Sequence, residues 1–128
     1  MIYILQNLLP ILAATLVGLL IGVVFLRRRG RALPRPETLI LVAAAQFWFA
    51  SILAGALILA PPQAGEWTMA IGSAVVIWIG FVAPAFIVTM RVRRVKWRTI
   101  WGVIFYWLAT MVGQAAVMTL IGLGAPPA

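Results

Sequence analysis

A short basic segment divides two long apolar runs between Trp78 and Leu108. The cationic residues of this segment are Arg91, Arg93, Arg94, Lys96 and Arg98, and no acidic residue lies among them. In a soluble domain such a segment would interrupt the core. Two membrane-spanning helices, in contrast, satisfy their own backbone groups and need a polar turn outside the hydrocarbon region. The stretch therefore predicts a transmembrane helical hairpin, and the rest of the chain has the same organisation.

The composition favours an integral membrane protein. The chain has 128 residues, of which 65% are hydrophobic and 9% are charged, whereas about 25% of the residues of a soluble domain are charged. One small soluble core could not bury this much apolar surface. Cysteine and histidine do not occur in the sequence, which excludes disulfides, thiol catalysis and the usual zinc sites.

Four apolar runs predict four membrane-spanning helices, at about 3–26, 38–60, 68–90 and 99–123. A helix of that length reaches roughly 34 Å, enough to cross a hydrocarbon layer of about 30 Å. The first run has no cationic residue before Arg27, unlike a cleaved signal peptide, which begins with a basic region. The predicted fold is an all-α integral membrane four-helix bundle of two hairpins, forming one domain over residues 1–128.

Loop charge predicts the orientation of the bundle. The first loop carries five arginines and Glu37, the loop after Met90 carries five cations, and the connector from Pro61 to Trp67 carries only Glu66. Basic loops remain on the cytoplasmic side of membrane proteins. We therefore expect both basic loops in the cytoplasm of a bacterium and both termini outside the inner membrane. This confinement to loops also explains the net charge of +8 better than nucleic-acid binding does.

Small and polar residues within the spans predict which helix faces pack together, because such residues allow close approach and hydrogen bonding between membrane helices. The predicted packing residues are Gly18, Gly22, Gln46, Ser73, Gly80, Pro84, Tyr106, Thr110, Gly113 and Gln114. Tyr106, Thr110 and Gln114 are spaced by four and share one helix face. A side-chain amide in lipid should turn toward protein, and Gln46 is the candidate partner of Gln114.

The sequence predicts no catalytic, cofactor-binding or metal site. No Asp, Glu, Lys, Arg or His lies well inside a predicted span, although proton-coupled transporters usually keep such a residue there. Small multidrug exporters depend on a membrane-embedded glutamate, whereas Glu37 and Glu66 lie at span ends. We therefore expect a non-enzymatic structural or accessory subunit, as a homo-oligomer or part of a larger membrane complex. The alternative is a small-solute or ion transporter or channel that works as a homo-oligomer.

The cations of the two loops are candidate contacts for anionic lipid headgroups, since each one near the membrane surface attracts such lipids. These candidates are Arg27, Arg28, Arg29, Arg91, Arg93, Arg94, Lys96 and Arg98. The alternative is that the two basic loops only set the topology.

The C-terminal half resembles the DUF1761 family of small four-helix bacterial membrane proteins. The matching residues are Trp78, the Gly-Phe-Val-Ala-Pro segment at 80–84, Lys96 with Trp97, and the Tyr-Trp-Leu segment at 106–108. The resemblance covers roughly residues 70 to 120. Where the family has Trp-Tyr-Ser-Pro and Phe-Gly-Lys type segments after its first span, this chain has FLRRRGR at 25–31. The resemblance implies the fold, and the family has no established activity.

Overall fold

The computed structural model describes residues 2–59 and 65–124, which form helices joined by short turns, with no strand. The α-helices are α1 (Ile2–Gln6), α2 (Leu8–Arg28), α3 (Pro36–Leu59), α4 (Glu66–Ile77), α5 (Ala83–Val92) and α6 (Trp97–Ile121). A π-helical turn over Trp78–Val82 joins α4 to α5. These elements confirm the predicted all-α four-helix membrane bundle.

Four helical segments are long and apolar enough to cross a membrane: Leu8–Arg28, Pro36–Leu59, Glu66–Val92 and Trp97–Ile121. We call them the first to fourth spans. The shortest has 21 residues and reaches about 32 Å at 1.5 Å per residue. The chain is therefore a multi-pass membrane protein. Residue 60, the predicted end of the second helix, and most of the connector that follows it lie outside the described residues.

The predicted first helix is divided at Asn7, which has φ −114° and ψ 29° and precedes α2. Pro10 lies in the first turn of α2, where a residue without an N–H group loses no intrahelical hydrogen bond. The first membrane-spanning helix therefore begins at Leu8, after the predicted start at about residue 3.

The predicted third helix is also not a continuous α-helix. Its π-helical turn is closed by the Ala83 N–H, which donates to the carbonyl of Trp78 five residues earlier. Pro84 explains the wider turn, because proline has no N–H and its ring clashes with the carbonyl four residues before it in an α-helix, here that of Gly80. A π-helical turn is a common way to accommodate such a local change.

The core surrounds α6, which contacts α2, α3, α4 and α5. Its buried residues recur with helical spacing: Ile100, Ile104, Thr110, Met111, Gln114, Ala115 and Met118. Alanines face them from the other spans, including Ala14, Ala50, Ala74 and Ala83. Small side chains of this kind let membrane helices approach closely.

The two basic loops lie at one end of the bundle, which we call the basic end. The Phe25 ring of α2 stacks on the Tyr106 ring of α6 with 4.6 Å between centroids. The Arg29 guanidinium lies against Gly102, near the start of α6. Contact between the end of the first span and the start of the fourth therefore brings the first loop next to the second.

Candidate functional site

Gly18 brings three of the four spans together at the middle of the bundle. It is buried on α2, opposite Gln46 of α3 and Gln114 of α6. A Cβ atom at Gly18 would lie 2.6 Å from Gln46 Oε1 and 2.7 Å from Gln114 Nε2. Both distances are below van der Waals contact, so only glycine leaves room for the two side chains in this arrangement.

The two glutamines form a buried hydrogen-bonded cluster, which we call the glutamine cluster. Gln114 Nε2 donates to Gln46 Oε1 over 3.0 Å and to the carbonyl of Ala14 over 3.1 Å. The amide orientation follows from these partners, because a flipped amide would place Gln114 Oε1 against two oxygens. This geometry confirms the pairing of Gln46 with Gln114 that the helix faces predict.

One polar atom of the cluster has no partner. Gln114 Oε1 is buried and accepts no hydrogen bond from the described residues. An unpaired buried acceptor costs about 1–3 kcal/mol. Amides donate and accept hydrogen bonds but provide no proton-transfer group near neutral pH. The cluster can therefore hold helices in register, and it offers no acid or base for catalysis.

Other predicted packing residues on α6 also face α2. The Tyr106 hydroxyl lies 3.2 Å from the position of a Cβ atom at Gly22. A Cβ atom at Gly113 would lie 3.2 Å from Ile21 Cδ1. Thr110 is buried, and its hydroxyl donates to the carbonyl of Tyr106 in its own helix over 3.0 Å. Helices α2 and α6 therefore pack closely at glycines of both helices.

The packing residues of the third span do not all lie where the sequence predicts. Gly80 and Pro84 are exposed, and a Cβ atom at Gly80 would meet no other atom within 4 Å. The prediction that these two residues pack within the bundle is wrong, because the π-helical turn interrupts the α-helical periodicity on which the prediction relied. Ser73 is half-buried and lines a cavity that lies between α3 and α4.

A groove between α2 and α3 leads from the basic end toward the glutamine cluster, and we call it the α2–α3 groove. It has a volume of about 250 Å³. Residues that line it include Gly22, Phe25, Leu33, Val42, Gln46 and Tyr106. The two glycines of α2, Gly18 and Gly22, also line the groove.

The cations of the basic end are on the surface of the bundle. All eight candidate lipid-contacting residues are exposed. The Arg29 guanidinium carbon lies 4.8 Å from the centre of the Phe25 ring. Arg91 donates to the carbonyl of Val95 over 3.0 Å and lies 4.9 Å from the Trp97 ring. Arg94 has φ 60° in the turn before α6, a conformation that non-glycine residues seldom adopt.

Asn7 joins the beginning of the described chain to its end, a contact that the sequence analysis does not predict. Asn7 Nδ2 donates to the carbonyls of Tyr3 and Gly124 over 2.9 and 2.8 Å. Asn7 Oδ1 accepts from the Gly124 N–H over 2.7 Å. The Tyr3 hydroxyl donates to the carbonyl of Ser51 over 2.9 Å. In the sequence, this contact is indicated only by the presence of the Asn7 amide within an apolar run.

The Trp78 side chain joins the third span to the fourth. A deep indole N–H favours a hydrogen-bond partner, and Trp78 Nε1 donates to the carbonyl of Ile104 over 2.8 Å. The bond joins the π-helical turn to α6, and therefore holds the third span on the bundle at this point.

No protein-family model, curated protein or solved structure matches the chain. The resemblance to DUF1761 therefore stays a prediction. The proposals below depend on the geometry and charge of the described residues.

Proposed function

We propose that the protein is a non-catalytic structural or accessory subunit of a bacterial inner membrane, and that it associates through its third span. One observation supports this proposal above the others. Only three residues of the third span are buried within the bundle, Ala70, Ala74 and Ala83, against five, five and seven in the first, second and fourth. The third span therefore has the largest share of surface available to a neighbouring helix.

The exposed face of the third span has the composition of a helix contact. Gly72, Val76, Gly80, Pro84 and Val88 are all exposed. Cβ atoms at Gly72 and Gly80 would meet no other atom within 4 Å. Glycine within a helix lowers the stability of the helix by about 1 kcal/mol relative to alanine. A glycine that faces only lipid makes no packing contact that would offset this loss. Exposed glycines of this kind favour association with a second membrane helix.

Leucine at Gly72 or at Gly80 tests this face. Against lipid, either change should be neutral or stabilising, because leucine is the better helix former. In an interface, the larger side chain would hold the two helices apart. We therefore expect Gly72→Leu and Gly80→Leu to lower the fraction of the protein that can be chemically cross-linked to a neighbouring chain in membranes. Neither change should lower the thermal stability of the protein in detergent.

Ala44→Leu is the matched control, since Ala44 is exposed on α3 and does not belong to the third span. Its cross-linked fraction should equal that of the wild type. Unchanged cross-linking in both glycine variants would rule out this face as the site of association.

The proposal also includes the orientation, with the basic end in the cytoplasm. A single cysteine at Ala32, in the first basic loop, should be shielded from an impermeant thiol reagent in intact cells. A cysteine at Glu66, at the start of α4, should react. The chain has no native cysteine, so no background labelling is expected. Labelling at residue 32 with none at residue 66 would reverse the orientation.

A further inference from the structure

We propose that the α2–α3 groove binds an acyl chain of an anionic phospholipid, whose phosphate is held by arginines of the first basic loop. This inference goes beyond association through the third span, and it concerns a different surface of the protein. It assigns one defined lipid site, instead of general attraction between ten cations and the membrane.

The shape and lining of the groove suit a lipid chain. Its walls include Phe25 and Val42, and it extends from Leu33 in the first loop to Gln46. Leu39 also lines it, and the seven residues from Leu39 to Gln46 correspond to about 10 Å along α3. Leu39 and Val42 are exposed, so the groove opens toward the hydrocarbon layer, from which a chain can enter sideways.

The charge at the mouth of the groove suits a phosphate. The Arg29 guanidinium lies over the Phe25 ring, and Phe25 is a wall of the groove. Arg27 and Arg28, which precede Arg29 at the end of α2, are also exposed. The loop also contains Arg31 and Arg35, and the acid that follows them, Glu37, lies in the first turn of α3. Arginine binds phosphate through charged, often bidentate hydrogen bonds, and basic pockets between membrane helices bind anionic headgroups.

The second basic loop lacks this combination. No residue of that loop lines the α2–α3 groove. The Arg91 guanidinium already donates to the carbonyl of Val95 and lies over the Trp97 ring. General electrostatic attraction predicts equal contributions from the two loops, whereas a built site predicts a larger contribution from the first.

Lipid retention measured by native mass spectrometry tests the charged part of the site. The full chain is equilibrated with equal amounts of phosphatidylglycerol and phosphatidylcholine. The ratio of the two lipids that remain bound to the protein is then measured. The test variant is Arg27→Gln/Arg28→Gln/Arg29→Gln. The control Arg93→Gln/Lys96→Gln/Arg98→Gln removes the same charge from the second loop. We expect the preference for phosphatidylglycerol to fall about fivefold for each arginine that contacts the headgroup, in the test variant only.

A second pair of variants tests the groove without changing the charge. Val42→Trp would fill the groove, whereas Ile40→Trp places the same side chain on an exposed face of α3. We expect Val42→Trp to lose the retained phosphatidylglycerol and Ile40→Trp to keep it. Equal loss in both charge variants would overturn the site, and so would undiminished retention in Val42→Trp.

Discussion

Replacing Gly18 with leucine should destabilise the bundle severely. A Cβ atom alone would lie 2.6 Å from Gln46 Oε1 and 2.7 Å from Gln114 Nε2. The larger side chain must therefore break the glutamine cluster or push α2 away from α3 and α6. Overpacking and unpaired buried amides together should cost about 2–5 kcal/mol. Unfolding in mixed micelles measures this loss, and Gly72→Leu, at an exposed position, is the control that should retain the wild-type stability.

A double-mutant cycle would show whether the glutamines cause the cost at Gly18. Gly18→Ala should be less destabilising in a Gln46→Ala background, because the shorter side chain removes one of the two close contacts. Coupling between contacting residues is typically about 0.5–3 kcal/mol. An equal cost of Gly18→Ala in both backgrounds would show that Gly18 is needed for a reason other than the cluster.

Gln114→Glu should have the second large effect, although glutamate has almost the same shape as glutamine. Gln114 Nε2 donates to two oxygens, Gln46 Oε1 and the carbonyl of Ala14. A carboxylate would place an acceptor against both, within the interior of a membrane protein. An acidic residue at the centre of a membrane helix costs about 2.5–3.5 kcal/mol.

Gln114→Leu is the matched comparison. It removes the same hydrogen bonds without introducing a charge, and interhelical bonds of this kind contribute about 0.6 kcal/mol on average. We therefore expect Gln114→Leu to fold and to insert with a modest loss of stability, and Gln114→Glu to lose several times more. Similar unfolding free energies for the two variants would mean that the Gln114 amide does not face oxygens in the folded protein.

The glutamine cluster could be predicted from the sequence because lipid provides no hydrogen bond for an amide. Helical spacing placed Gln114 on the face of Tyr106 and Thr110, and Gln46 was the corresponding amide on the second span. Their equal depth could not be predicted, since it depends on how far each helix extends beyond the basic end. The need for glycine at position 18 follows only once the two glutamines are known to lie at the same depth in the bundle.

The third span could not be predicted in the same way. Regular α-helical spacing placed Gly80 and Pro84 on an inward face, but Pro84 cannot continue an α-helix without a local change. The π-helical turn makes that change, and it exposes both residues. The contact of Asn7 with Gly124 was also beyond prediction, because 117 residues separate its two partners and no local pattern relates them.

Hydropathy does not distinguish the span that is proposed to associate. An 18-residue stretch within the third span has a mean hydropathy of 2.3, between 2.7 for such a stretch in the first span and 1.6 in the fourth. Only its low burial sets it apart, and burial depends on packing in three dimensions. For this reason the sequence predicts a subunit that packs against a partner but does not indicate which face it uses.

The mass of the particle in native nanodiscs tests the proposed association most directly. Extraction should yield a particle that contains one 13.9 kDa chain together with a second copy or with other subunits. The Gly80→Leu variant should give a particle of lower mass. A homo-oligomer that also conducts a solute would favour the transporter alternative. A single chain surrounded only by lipid, for the wild type as well as for Gly80→Leu, would contradict the association.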